Sequence, residues 1–297
     1  MRSGTLATMV QERIVVIGGG TMGAGIAHRC VANGYLVEVV DLDLGAAEAA
    51  VGRIAASLHG AAERGKLDDA PSAIERLTPM AAIGDVDPEA TAIIEAVNED
   101  VGLKHRLLAT AEQRSPRVLA SNTSSISIDE LASVLDRPEC FVGMHFFNPV
   151  WAMDLVEVVR GARTDSATIA VVSQIVDRLG MERALINDAP GFATSRLGVL
   201  VGLEAIRMVE QGVASPVDID RAMRLGYRHP MGPLMLGDLV GLDVRLGIAR
   251  HLASVYGARF EPPALLVAMV ERGDLGKKSG RGFYDWSSGS AEVIEER

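Results

Sequence analysis

From Arg13 onward, short apolar runs alternate with longer stretches of helical periodicity. Arg13–Gly18 (RIVVIG), Leu36–Val40, Ile93–Ala96, Val118–Ala120 and Leu155–Val159 are short and rich in leucine or β-branched residues, a pattern that predicts strands buried on both faces. Strands alternating with helices predict an α/β architecture, a doubly wound, mostly parallel sheet. Beyond about residue 187 the pattern changes to helix after helix. The stretch from Phe192 to Glu210 is apolar on most faces, and Gly212 is placed to end it in a left-handed conformation. Ser215-Pro216-Val217-Asp218 then offers a cap residue, a proline at the first helical position and an early acid, with Leu225-Gly226 closing that helix. The expected division is a sheet domain over 1–187, its first 12 residues a loose leader, and an all-helical C-terminal domain over 188–297. A helix apolar nearly all round must be covered on every side. The cover is either a second subunit, giving a homodimer built on the helical domain, or the rest of its own domain.

Composition narrows the function classes. The 297 residues allow one large domain or two modest ones, and 48% hydrophobic with 23% charged residues is the profile of a packed globular chain. The net charge is −10, without a basic run, so neither nucleic acid nor an anionic membrane surface is an expected partner. No apolar stretch approaches the roughly 18 residues of a membrane span. The N-terminal MRSGTLATMVQER lacks the apolar core and cleavage site of a secretory signal. Cys30 and Cys140 stand far apart, which fits a reducing cytoplasm and argues against a disulfide scaffold or a cysteine-based metal site. A polyanionic ligand would require a local basic patch.

Gly18-Gly19-Gly20-Thr21-Met22-Gly23 contains GxGxxG directly after the RIVVIG strand and opens a helix expected over Ala24–Ala32. In that setting Gly18 permits the tight turn, Gly20 lets the backbone approach a pyrophosphate, and Gly23 lets helix pack on strand. Thr21 and Met22 complete the turn at the helix N-terminus, whose N–H groups favour an anion. The second strand ends in Asp41, 18 residues after Gly23, where a carboxylate accepts hydrogen bonds from the adenine ribose. Such an acid repels a 2′-phosphate, and no Arg or Lys follows before Arg53. The expected cofactor is therefore NAD.

Six histidines compete for an acid–base role. His28, His59, His105 and His251 sit in helical patterns and His229 in a turn, where satisfied or solvated side chains are the ordinary case. His145, in GMHFFNP, follows an expected strand on the side of the sheet where ligands bind. Twelve residues on, Glu157 interrupts the apolar Leu155–Val159 run. A buried acid needs a partner, and His145 is the candidate. The alternative is an edge strand with Glu157 in water.

These residues belong to a longer set: GGGTMGAGIA, EAVNED, SNTSS, HFFNPV followed by LVEVV, NDAPGF, HPMGPL with DLVGLD, and GKKSGRGFYDW. In order and content they resemble the 3-hydroxyacyl-CoA dehydrogenases of the stand-alone 3-hydroxybutyryl-CoA type, from about Arg13 to Trp286. The resemblance implies a Rossmann-type sheet domain and oxidation of the (S)-3-hydroxyl of a short acyl-CoA, or the reverse reduction. It implies His145 as general base, Glu157 as the group that orients it, Ser124 near substrate and nicotinamide, and Asn148 holding substrate and cofactor. Glu99, Lys104 and Lys278 are implied as further cofactor contacts. The chemistry is coherent, because oxidising an alcohol needs a base poised near neutral pH and a histidine backed by a carboxylate supplies one.

The stretch from Leu44 to Arg64 reads as helical, with Arg53, Ser57 and Arg64 on one face and Lys66 just beyond. This is the missing basic patch, or else a solvated charged face. The resemblance places coenzyme A contacts at Ser57 and Arg64. It also exposes one departure: Ser195 precedes Arg196 where asparagine is usual, and the shorter side chain implies altered substrate positioning there. Two other readings stay open on sequence alone, a related dehydrogenase of a free hydroxy acid and a non-catalytic NAD-binding relative. A phosphate loop is excluded at GDLGKKS because Glu271 stands where its first glycine is required. No GxSxG elbow and no metal-ligand spacing is present.

Overall fold

The structure is a computed structural model and describes residues 12–88 and 90–294. The leader expected over 1–12 lies outside them except for Glu12. The chain divides into two compact units, Met1–Ala189 and Pro190–Arg297.

The first unit is built on eight strands: β1 (Arg13–Ile17), β2 (Leu36–Val40), β3 (Leu77–Met80), β4 (Ala92–Glu95), β5 (Val118–Ser121), β6 (Phe141–Phe146), β7 (Leu155–Arg160) and β8 (Glu182–Asn187). Their order is β3-β2-β1-β4-β5-β6-β7-β8. All neighbours run parallel except β6 and β7. Helices α1 (Thr21–Ala32), α2 (Leu44–Glu63), α3 (Ala70–Ile74), α4 (Val101–Glu112), α5 (Ile128–Leu131) and α6 (Ser166–Arg178) connect them. From β1 the chain winds outward through β2 and β3, then returns to β4 on the other side of β1. That reversal opens a crevice at the carboxyl ends of β1 and β4, the usual ligand position in such sheets. Ile14, Val16, Val39, Ile94 and Val158 lie in the core.

Two strands were hidden from the sequence pattern and a third was expected without bounds, each for a physical reason. Leu77–Met80 is a four-residue edge strand with a proline, and Glu182–Asn187 is an edge strand rich in exposed polar residues. Phe141–Phe146 is interrupted by Gly143, where a Cβ would lie 2.8 Å from both Ile128 Cδ1 and Val159 Cβ. Close packing demands the glycine and so blurs where the strand ends, which the sequence pattern puts before His145.

The second unit holds α7 (Thr194–Glu210), α8 (Pro216–Gly226), α9 (Pro233–Val240), α10 (Leu242–Tyr256) and α11 (Ala264–Glu271) around Leu203, Leu234, Leu246, Leu252 and Phe260. Gly212 has φ 68°, and the Ser215 hydroxyl accepts the Asp218 amide at 3.2 Å to cap α8. Buried Asp238 ties the GRGFYDW segment down. It accepts the Phe283 and Tyr284 amides at 3.0 and 2.9 Å and the Trp286 indole N–H at 2.9 Å. Burial is the largest influence on Asp238 and pushes its carboxyl above the usual range, against those donors. Leu197 and Val201 of α7 remain exposed. No helix among the described residues is long and apolar enough to cross a membrane.

Candidate active site

The glycine turn follows β1 and its three fingerprint glycines are distinguishable. Gly18 has φ 100°, and a Cβ there would sit 2.7 Å from the Ala96 carbonyl oxygen. A Cβ on Gly23 would collide with the Gly18 carbonyl. Gly20 is different: a Cβ would meet nothing within 4 Å. Packing therefore fixes Gly18 and Gly23, whereas Gly20 faces open space in which a ligand can approach the backbone. Helix α1 starts at Thr21, three residues before the expected Ala24, with Gly20 as its N-cap. The first-turn residues are thus Thr21, Met22 and Gly23, whose N–H groups have no partner within the helix and suit a pyrophosphate.

Asp41 closes β2. Its Oδ2 accepts the Gly19 amide at 2.9 Å and its Oδ1 the Leu42 amide at 2.8 Å. Asp41, Leu42, Ile83, Asn98 and Leu107 line a cavity of about 610 Å³ that reaches Gly18–Gly20. These residues fit the adenosine half of a dinucleotide, with apolar walls and a carboxylate at the ribose level. Arg53 reaches across from α2 and donates to the Gly19 carbonyl at 2.8 Å. It therefore serves the glycine turn as well as the α2 face on which the sequence places it.

His145 lies within β6, not after it as the sequence reading had it, and stands directly opposite Glu157 of β7 in the antiparallel register. Directly opposed residues project from the same face with their Cβ atoms about 5 Å apart. His145 Nδ1 and Glu157 Oε2 are 2.8 Å apart. β7 runs between β6 and β8, and Glu157 is fully buried, so the edge-strand alternative is overturned. An ionised Glu157 accepts the Nδ1 hydrogen, which fixes the tautomer whose Nε2 carries the lone pair. Phe147 tilts against the imidazole with ring centroids 4.5 Å apart.

His145 shares a cavity of about 340 Å³ with Met22, Glu99, Asn122, Ser124 and Asn148. Glu99 is held by the loop after β5. It accepts the Thr123 hydroxyl at 2.6 Å and the Ser124 and Ser125 amides at 2.9 and 3.1 Å. Burial raises the Glu99 pKa, but the Thr123 hydroxyl, the Lys104 charge and the Ser124 amide outweigh it, and the carboxyl stays below its usual range. Lys104 is itself buried, with Nζ 2.7 Å from Glu95 and 3.2 Å from Glu99. Its nearest charges are these two carboxylates, so it stands behind Glu99. The sequence reading missed Asn122, whose Oδ1 accepts the Phe146 amide at 2.9 Å, and Thr123. Both lie in SNTSS, where only Ser124 drew attention. Their signal was position, since they immediately follow a buried strand on the ligand side of the sheet.

Ser57 and Arg64 lie on α2 and at its C-cap, and both border a cavity of about 300 Å³ that also includes Lys66. Ser195 and Lys278 belong to the second unit. Ser195 is half-buried in the first turn of α7, and Lys278 Nζ pairs with Asp243 Oδ2 at 2.6 Å.

A glycine turn that fits a dinucleotide, beside a buried histidine–carboxylate pair, defines a nicotinamide-dependent oxidoreductase. Residues 13–189 match the 3-hydroxyacyl-CoA dehydrogenase NAD binding domain, and residues 191–286 match the C-terminal domain of the same enzymes. The chain is 41% identical to a probable 3-hydroxybutyryl-CoA dehydrogenase of Bacillus subtilis over 280 residues, 93% of this chain and 97% of that one. It is 37% identical to the 3-hydroxyadipyl-CoA dehydrogenase of Escherichia coli over 292 residues, 95% of this chain and 61% of that one. The crystal structure of (S)-3-hydroxybutyryl-CoA dehydrogenase from Ralstonia eutropha aligns with a TM-score of 0.87 at 38% identity, covering 92% of this chain and 98% of that one. The chain belongs to the 3-hydroxyacyl-CoA dehydrogenase family, and its cofactor is NAD.

Proposed function

We propose that this protein interconverts a short-chain (S)-3-hydroxyacyl-CoA and the matching 3-ketoacyl-CoA, with 3-hydroxybutyryl-CoA as the representative substrate. The observation that carries this reading is the pairing of His145 with Glu157, 2.8 Å apart and directly opposed across β6 and β7, in the wall of a cavity that also holds Ser124 and Asn148.

In the oxidative direction His145 Nε2 takes the proton of the 3-hydroxyl. Glu157 accepts the Nδ1 hydrogen throughout and stabilises the imidazolium as it forms, an effect strengthened by its dry surroundings. Ser124 donates a hydrogen bond to the reacting oxygen, and Asn148 orients the thioester carbonyl. NAD, when bound, supplies the acceptor for the hydride that leaves C3. Gly18, Gly20, Thr21, Met22 and Gly23 form its pyrophosphate cradle, and Asp41 meets the adenine ribose. Glu99 lies toward the nicotinamide side and Lys104 acts through Glu99, and Lys278 is the further cofactor contact that the family resemblance implies. Ser57 and Arg64 take the coenzyme A portion of the substrate, and Ser195 contributes to acyl positioning.

The names of the relatives support a coenzyme A thioester and a butyryl-sized acyl group, while the Escherichia coli relative named for adipyl marks acyl length as the variable part. The exposed Leu197 and Val201 of α7 support a homodimer built on the second unit, and the cysteine usage supports a cytoplasmic location.

Purified protein given acetoacetyl-CoA and NADH should consume NADH, and free coenzyme A should compete with the thioester. Absence of NADH oxidation with every short 3-ketoacyl-CoA would refute this function. The cofactor assignment has its own test. Asp41→Ser should erode the preference for NADH over NADPH in kcat/KM, since the carboxylate that repels a 2′-phosphate is gone. An unaltered preference would take Asp41 off the ribose.

A further inference from the structure

Three cavities of the first unit are joined through shared walls. The His145 cavity shares Asn148 with a second cavity of about 420 Å³, which also includes Gly20, Thr21, Gly25 and Val150. That cavity in turn shares His28, Ser57 and Trp151 with the third, of about 300 Å³, where Arg64 and Lys66 stand. A ligand that reaches from the histidine–glutamate pair to the two cations must cross those three residues.

The charge along this path selects the chemistry of the occupant. Arg64 and Lys66 are exposed cations at the far end, and Arg29 beside them is already spent on the Leu179 and Gly180 carbonyls at 2.9 and 3.1 Å. The one cation of the middle cavity, Arg53, is already spent on the Gly19 carbonyl at 2.8 Å, and the three shared residues carry no permanent charge. They offer a hydroxyl, an imidazole and an indole. The complementary molecule is anionic at one end, uncharged but rich in hydrogen-bonding groups in the middle, and reactive at the other end. A coenzyme A thioester has that order: phosphates, a pantetheine arm with two amides, then the acyl group.

We propose that His28, Ser57 and Trp151 form a neck that grips the pantetheine arm, and that His28 and Trp151 are specificity-determining residues for coenzyme A thioesters. The proposal rests on the reading of the substrate given above.

His28 is 7% exposed, and its buried Nδ1 has no hydrogen-bond partner within the protein. Buried polar atoms are seldom left without partners, and those that are call for a role. Burial above all, with the charges of Arg29 and Arg64, pushes the His28 pKa down, which favours the neutral ring. A neutral imidazole has one donor and one acceptor, the same complement as an amide. Trp151 follows the Asn148-Pro149-Val150 segment, and Gly25 of α1 packs against Val150 closely enough that a Cβ would lie 2.9 Å from Val150 Cγ2. The indole is nevertheless 45% exposed, with Lys66 Nζ 5.3 Å from its ring centroid. An exposed tryptophan over a groove suits the methylenes and the gem-dimethyl carbon of pantetheine, since it buries much apolar area at small entropic cost.

The test compares acetoacetyl-CoA with acetoacetyl-N-acetylcysteamine, which keeps the thioester and reacting carbons but lacks the outer arm and the phosphates. The readout is the ratio of kcat/KM on the two substrates. His28→Ala and Trp151→Ala should each lower that ratio about tenfold, the size of one hydrogen bond or one well-packed ring contact. His28→Gln and Trp151→Phe, which restore an amide and a ring, should recover most of it. Calorimetric titration with free coenzyme A reads the same contacts without turnover and should weaken in parallel. A ratio that stays at the wild-type value in both alanine variants overturns the neck while leaving the dehydrogenase reading intact. A wild-type protein that reduces neither thioester overturns the dehydrogenase reading, and the neck with it.

Discussion

His145→Gln should lower kcat on acetoacetyl-CoA by about 10²- to 10⁴-fold, the usual contribution of a positioned general acid–base. NADH should still bind. Glutamine is close in length to histidine and can donate a hydrogen bond to Glu157, so the buried carboxylate 2.8 Å from the ring keeps a partner. What is lost is the ability to take and return a proton. Single-turnover absorbance measurements would give the chemical step, and a fluorescence titration the NADH affinity. Glu157→Gln should reduce kcat by a smaller factor, because the imidazole remains but loses the charge that stabilises its protonated form. The double variant should fall far short of the product of the two losses, since residues acting as one unit are not additive. A His145→Gln protein that turns over at close to the wild-type rate would remove His145 from the reaction.

How much of this site was legible in the sequence depends on how far apart its parts lie along the chain. The glycine turn and Asp41 belong to consecutive elements, and their spacing alone placed them at one crevice. Leu36–Val40 is legible to the residue, because four apolar positions of five between turns, three of them valine, have few other outcomes. Glu157 announced itself as an acid in an apolar strand, but its partner could not be fixed from sequence. His145 and Glu157 meet only because β6 and β7 pair antiparallel in one particular register, and Gly143 blurs the extent of β6, which runs through His145. The same limit hid His28 and Trp151, whose shared position is created by α1, α2 and the segment after β6 together. A lone histidine within a helical pattern carries no sign that its ring nitrogen will be buried without a partner. Lys104 was another such case: helical periodicity shows it on α4, but only the packing of β4 against that helix puts it beneath Glu99.

Lys104→Met should therefore be costly to stability rather than merely to cofactor affinity. Lys104 and Glu95 are both almost completely inaccessible, and Nζ lies 2.7 Å from Glu95 Oε1. The other Glu95 oxygen accepts the Ser121 hydroxyl at 2.6 Å, and Oε1 also accepts the Val97 amide at 2.7 Å. Removing the cation leaves a carboxylate in the core with two neutral donors and no counter-charge. Breaking a buried pair in this way typically costs about 3–5 kcal/mol. For a domain of this size about 2–4 °C of Tm is lost per kcal/mol, so melting should fall by roughly 6–20 °C. Glu95→Gln combined with Lys104→Met should recover most of the loss, because the amide oxygen still accepts from Val97, its NH2 can donate to the Ser121 hydroxyl, and no charge is stranded. Thermal unfolding of the single and double variants, followed by circular dichroism, would measure both. If the single variant melts with the wild type, the pair contributes nothing net to this unit. The loosened Glu99 should also weaken NADH binding, since Lys104 is its only ion-pair partner among the described residues.

The antiparallel pairing of β6 with β7 has a consequence for how such an enzyme can change. The distance between His145 and Glu157 is set by the spacing of a sheet, and a slip of one position would send every side chain of a strand to the opposite face. The eight residues 147–154 that join the two strands carry no such obligation. They include Asn148 and Trp151 and border the path from the dyad toward the cations of α2. Recognition of the thioester's carrier arm can thus drift in the connecting segment while the proton machinery stays clamped in place, so that a new carrier preference can be acquired without rebuilding the chemistry.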